Sequence, residues 1–127
     1  MSPMLRYLCA LDDILEGKSP VLIKIDAEGF EGNVLIGARH TLQSASLLAV
    51  SVEGDPSKIY PVLDGLSLTE WMDRFRFIPV SYDGTTRTIS KNPLAYPVRN
   101  LLFVRNLDEC KVRIAAARAI QVLGTEV

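Results

Sequence analysis

Two acids one residue apart, Asp26 and Glu28, follow directly on the short apolar run Leu22-Ile23-Lys24-Ile25 and precede Gly29. In open α/β sheets ligands bind beyond the carboxyl ends of strands, so carboxylates there are candidates for chemistry. Held within hydrogen-bond reach of a hydroxyl, such a group can take its proton. Spacing alone does not name the reaction. Asp26 could equally cap the helix that follows, with Glu28 and Glu31 favouring its positive end. Glu53 closes the next apolar run on the same rim, either to bind a ligand or to be solvated. Lys24 shares a strand face with Asp26, which predicts a structural ion pair. His40 has no Cys or His partner and reads as surface. Cys9 and Cys110 have neither metal-ligand spacing nor a disulfide-rich context, so no metal site is expected.

The elements that must position these acids follow from periodicity. Residues 4–9 read as a strand or the tail of one, and Asp12-Asp13 open a helical turn through Leu15, where acids suit the helix dipole. The run 21–26 is apolar on both faces except for Lys24, which predicts a buried parallel strand. From Phe30 to Gln43, Phe30, Val34, Leu35, Ala38 and Leu42 recur at helical intervals, with Gly37 marking close packing or a break. Residues 47–53 form the next strand, and the crossover is long enough for a right-handed βαβ unit.

Residues 54–66 are loop-like. Ser67-Leu68-Thr69-Glu70 is a capping box that opens a helix to about Phe75, whose ring, spaced from Trp71 by four, suggests core or interface. The strand 77–82 contains Pro79, which predicts an edge. Residues 83–99 read as one long loop, a feature that is often functional. The strand 101–104 comes last, followed by a C-terminal helix over 108–123 with Val112, Ala116, Ala119, Ile120 and Leu123 on one face.

Hydrophobic residues make up 48% of the 127 and charged residues 23%, the balance of a globular protein. A chain of this length buries roughly two thirds of its unfolded surface as one domain spanning residues 1–127. A net charge of −1 argues against a nucleic-acid or anionic-membrane footprint. No apolar run approaches the roughly 20 residues of a membrane span, and no signal peptide opens the chain, so a cytoplasmic location is expected.

Lys24-Ile25-Asp26-Ala27-Glu28-Gly29-Phe30-Glu31, with Val34-Leu35 and Gly37-Ala38 behind it, resembles the FkbM family of S-adenosylmethionine-dependent methyltransferases. Ala27 stands where a valine is usual. Leu11-Asp12-Asp13-Ile14-Leu15, a strand ending in Glu53 and Asn100-Leu101-Leu102-Phe103-Val104 fall in the same order, so that the resemblance extends over roughly residues 8 to 106. It implies a Rossmann-like class I methyltransferase fold within the α/β class, present here as strands four to seven with flanking helices. The fifth and seventh strands would lie side by side and antiparallel, with the sixth outermost. The resemblance implies S-adenosylmethionine as cofactor and an O-methyltransferase acting on a hydroxyl of a small molecule or sugar.

By the same resemblance the acidic motif falls on Asp26 and Glu28, either of which would be the base. Glu53, Tyr82 and Asn100 are expected on the acceptor, although Asn100 could instead fix its loop by backbone hydrogen bonds. Tyr82, Asp83 and Tyr96 flank the long loop and could line an acceptor pocket. No Gly-x-Gly cluster follows any strand, so no cofactor-binding residues are assigned, and the chain reads as the C-terminal half of such an enzyme. The competing reading is a non-catalytic remnant or interaction domain that associates with itself or a partner through an exposed sheet edge, here the strand 21–26.

Overall fold

The computed structural model describes residues 9–55, 63–91, 100–118, 121–122 and 125–126. The expected strand at residues 4–8 and Tyr96 lie outside them. A short helix α1 (Leu11–Ile14) precedes strand β1 (Leu22–Ile25). Helices α2 (Glu31–Ile36) and α3 (Arg39–Leu42) then lead to β2 (Ala49–Glu53), which pairs parallel to β1 with Leu22 opposite Ala49 and Ile25 opposite Val52. Helix α4 (Leu68–Asp73), strands β3 (Ile78–Asp83), β4 (Thr88–Lys91) and β5 (Asn100–Val104), and helix α5 (Leu107–Ala116) complete the main body. The five strands form one mixed sheet in the order β1-β2-β5-β3-β4. Strand β5 is antiparallel to both β2 and β3, so β1, β2 and β3 point the same way.

Residues directly opposite one another share a face, and this divides the sheet cleanly. Ile25, Val50, Val52, Leu101 and Phe103 join Leu35, Leu42, Trp71, Met72 and Phe77 in the larger core beneath α2, α3 and α4. Trp71 is 1% exposed with its ring centroid 4.9 Å from that of Phe75, so this pair is core. On the other face Leu48, Val80, Ile89, Val104 and Cys110 form a smaller cluster, with Leu107 and Ile114 of α5 packed against it.

Several expectations need correction. The helix expected over 30–43 is two helices, broken at Gly37, where an added Cβ would lie 3.2 Å from the Cβ of Ala10. The Gly37 carbonyl accepts from the Asp12 N–H at 3.0 Å, so the break docks α1. Phe30 lies outside the apolar stripe and is 65% exposed, because the chain is still turning there and α2 starts one residue later. Strand β1 is not buried on both faces: Ile25 is buried, whereas Leu22 is 60% exposed because the smaller cluster does not extend over it.

Pro79 does not mark an edge, since β3 lies between β5 and β4. Pairing with β4 begins only at Val80, so the proline, opposite Phe103 of β5, comes before that ladder starts. The expected loop 83–99 contains β4, joined to β3 by a turn in which the Asp83 carboxylate accepts from the Thr85 N–H at 2.9 Å.

The last helix is capped by Asn106, whose side chain accepts from the Glu109 N–H at 3.2 Å, and it ends at Ala116 instead of 123. Ala117 turns extended (ψ 142°) and gives its carbonyl to the Arg87 guanidinium at 2.7 Å. The helix therefore cannot continue, and Gln121–Val122 pairs antiparallel with Thr125–Glu126. Its packed stripe is the buried Cys110 flanked by the half-buried Leu107 and Ile114, with Val112 63% exposed on the opposite side.

Candidate functional site at the carboxyl rim

Parallel pairing of β1 with β2 brings their carboxyl ends to one rim of the sheet. The chain leaves β1 through Asp26 and Ala27 and reverses in a tight turn, closed by the Phe30 N–H on the Ala27 carbonyl at 3.2 Å. Its two central residues, Glu28 (φ 45°) and Gly29 (φ 103°), both have positive φ, as a type I′ turn requires. Gly29 adopts this without cost, but for Glu28 the left-handed region costs on the order of 1 kcal/mol. Something must hold it there.

Glu31 does so. It is 2% exposed, and its carboxylate accepts the Gly29 N–H, at 2.8 Å to Oε2 and 3.1 Å to Oε1. It also lies against the end of β2: a Cβ added at Gly54 would collide with Glu31 Oε1 and stand 2.9 Å from its Cδ. One buried carboxylate thus joins the turn after β1 to the turn after β2. From sequence Glu31 reads only as a charge at a helix terminus, and this role is not foreseen. The signal that could have shown it is the pairing of a glycine after each strand with a nearby acid.

Asp26 and Glu28 are both exposed, so their carboxylates are open to a ligand. The ion pair expected between Lys24 and Asp26 forms instead between Lys24 and Glu53, at 4.0 Å. The register explains it: Lys24 lies opposite Ser51, on the face that Glu53 shares two residues further along β2. Glu53 is also directly opposite Asn100, the first residue of β5. Asp26, Glu28, Glu53 and Asn100 therefore gather at one rim, with Lys24 beside them.

Tyr82 stands apart. It is on β3, three strands from β1, or about 14 Å at ordinary strand spacing. There it lines an apolar groove with Leu22, Ala49, Leu102 and Ile114 on the face that carries α5. The Asp83 carboxylate holds the β3–β4 turn, accepting from the Thr85 N–H. The Thr85 and Thr86 amides keep its pKa below the ordinary carboxylate value.

Two further titratable groups are engaged away from the rim. Asp12 accepts the His40 N–H at 2.9 Å, the Thr41 N–H at 2.7 Å and the Thr41 hydroxyl at 2.5 Å. Burial works against its charge, but these bonds outweigh it and hold the carboxyl below its usual pKa. The Cys110 thiol is pushed up by burial, and both cysteines are free. Among the described residues no three His, Cys, Asp or Glu side chains converge to hold a metal ion, and no helix is long and apolar enough to cross a membrane.

The family defined by the methyltransferase FkbM domain matches residues 8–79, more than half of the chain. The match contains the acid turn, Glu31, Glu53 and Gly54, and it stops inside β3, before Tyr82 and Asn100. No curated protein and no solved structure matches.

Proposed function

The chain belongs to the FkbM methyltransferase family, and from that premise we propose that it carries the acceptor side of an O-methyltransferase acting on a small hydroxylated molecule. The observation that carries this reading is the pair of exposed carboxylates, Asp26 and Glu28, on a turn held in an unfavourable backbone conformation at the carboxyl end of β1. Strain kept at a ligand-binding rim is what a preorganised site would store. The antiparallel β5 between β2 and β3 supports reading β1, β2, β3 and β5 as strands four, five, six and seven of a Rossmann-like methyltransferase sheet.

S-adenosylmethionine, the donor this family implies, supplies an electrophilic methyl group when bound. Among the described residues no Gly-x-Gly turn follows a strand, and the Gly29 amide is already taken by Glu31. The residues described do not fit a donor pocket, and no donor contact is assigned to them. On the acceptor side the chain's own groups suffice. Glu28 or Asp26 accepts a hydrogen bond from the acceptor hydroxyl and takes its proton as the oxygen becomes nucleophilic. Glu53 and Asn100, opposite one another on the same rim, hold further hydroxyls of the acceptor.

The test is transfer of a labelled methyl group from S-adenosylmethionine to a panel of hydroxylated small molecules and sugars. Asp26→Asn and Glu28→Gln are expected to lower kcat by about 10²–10⁴ for whichever acid is the base. Both side chains are exposed, so stability should move by less than about 0.5 kcal/mol. Wild-type turnover in both variants would end the reading.

A further inference from the structure

We propose that Glu31 is the positioning residue of the acid turn, with Gly54 as its seat; the catalytic consequence rests on the acceptor-side reading above. A turn with both central residues at positive φ is one of several ways to close four residues, and a glutamate at its first central position does not favour it. With no carboxylate beneath the turn, Glu28 would gain by returning to negative φ, and its side chain would then leave the turn in another direction. The Gly29 N–H, drawn onto both oxygens of Glu31, removes that freedom. Glu31 is itself held. It opens α2, it is buried, and it lies in a space at Gly54 that any side chain at that position would fill.

The chain of constraint runs from Gly54 through the Glu31 carboxylate and the Gly29 amide to the backbone of Glu28. It links the ends of two parallel strands whose spacing the sheet fixes. Glu31 therefore does not touch the acceptor. It sets where Glu28 points relative to Glu53, the group on the neighbouring strand end that would share the acceptor.

The experiment uses the whole chain and four variants: Glu31→Gln, Glu31→Ala, Gly54→Ala, and Glu31→Ala combined with Gly54→Ala. The first readout is the φ of Glu28, from three-bond HN–Hα couplings and backbone shifts in NMR. The second is kcat and KM for methyl transfer. Glu31→Gln should keep Glu28 at positive φ, because the amide oxygen still accepts the Gly29 N–H. Glu31→Ala should release it and lower kcat on the order of 10²-fold, the effect of a misplaced catalytic group, while glutamine restores most of the rate.

Gly54→Ala should release Glu28 in the otherwise native chain by displacing the carboxylate. In the Glu31→Ala background the same methyl group should change nothing further, since its collision partner is gone. That non-additivity is the signature of a seat. Positive φ at Glu28 in folded Glu31→Ala overturns the proposal, as do additive effects of the two alanines. If Glu31→Ala does not fold, Gly54→Ala decides the same question through one added methyl: release of Glu28 supports the seat, and an unmoved turn overturns it. A turn that responds as expected, in a chain whose Glu28→Gln variant turns over normally, supports the positioning role and overturns the catalytic reading of Glu28 instead.

Discussion

The two ends of the sheet use charge in opposite ways. At the end away from the rim, just past β5, the Arg105 guanidinium donates to four backbone carbonyls. Nη1 donates to the Leu42 carbonyl at 2.8 Å and the Phe75 carbonyl at 3.1 Å, and Nη2 donates to Leu47 at 2.8 Å and to Ser44. Its planar fork lies over the Phe77 ring, 4.5 Å from the centroid. Burial and the nearby Arg76 lower its pKa, yet a guanidinium keeps its charge in proteins. One side chain thereby closes the ends of α3 and α4 and the approach to β2. At the rim, Asp26 and Glu28 are exposed and Glu53 is half-buried, beside a turn in a costly conformation. Charge absorbed by backbone holds a fold together, and charge left open beside a strained turn is available for a ligand. Glu31 is the exception at the rim, a carboxylate used as Arg105 is used.

On this contrast the largest loss of stability comes from the Arg105 end. Arg105→Ala leaves four carbonyls without their donor and removes the cation over Phe77. A cost of about 3 kcal/mol or more is expected, read as a lower urea midpoint. Arg105→Lys should recover little, because one ammonium cannot span four carbonyls arranged for a fork. An Arg105→Ala chain as stable as wild type would remove the contrast at its root.

Asp12 sharpens the same comparison at smaller scale. It caps α3 from a distance of 28 residues along the chain, so Asp12→Ala should cost about 1 kcal/mol. The folded-state carboxyl ionises below the unfolded value of about 3.9. Its contribution is therefore fully present above that value and is lost as pH falls through the folded one. Urea midpoints of wild type and Asp12→Ala should differ at pH 6, and the gap should narrow as acidification carries the folded-state carboxyl through its titration. A gap that stays constant with pH would mean that the charge of Asp12 plays no part.

The sequence is most readable where one local pattern decides the outcome. The Ser67 cap, whose hydroxyl accepts from the Glu70 N–H at 3.1 Å, and the parallel β1–β2 pair both follow from patterns a few residues long. Strand β5 beside β2 follows from the family resemblance. Expectations fail where tertiary partners choose between local options. The strand Thr88-Ile89-Ser90-Lys91 has one apolar residue, and it forms because Ile89 has a cluster to join across from Tyr82. The stripe on α5 departs from the periodic one because Leu107, Cys110 and Ile114 have the smaller cluster to join and the helix ends at Ala116. Arg105 is the least legible, since its carbonyl partners lie 30 to 63 residues away and only folding brings them near. Glu31 reaches the amide of Gly29 two residues back, but its place against Gly54 needs the paired ends of β1 and β2. The acids at the rim are visible because their place, directly at a strand's end, follows from a local pattern.

The smallest expected effect lies in the ion pair that crosses the rim. Lys24 and Glu53 stand 4.0 Å apart with side chains 66% and 41% exposed, so water and salt screen most of their attraction. A double-mutant cycle with Lys24→Met and Glu53→Gln should give a coupling of no more than about 0.5 kcal/mol, fading as ionic strength rises past the point where the Debye length falls below about 8 Å. A near-zero coupling leaves Glu53 free to exchange its lysine for a hydroxyl of the acceptor at little cost, as an open rim requires. A coupling of several kcal/mol that survives high salt would make Glu53 another Arg105, a charge committed to structure, and would take it out of the acceptor site.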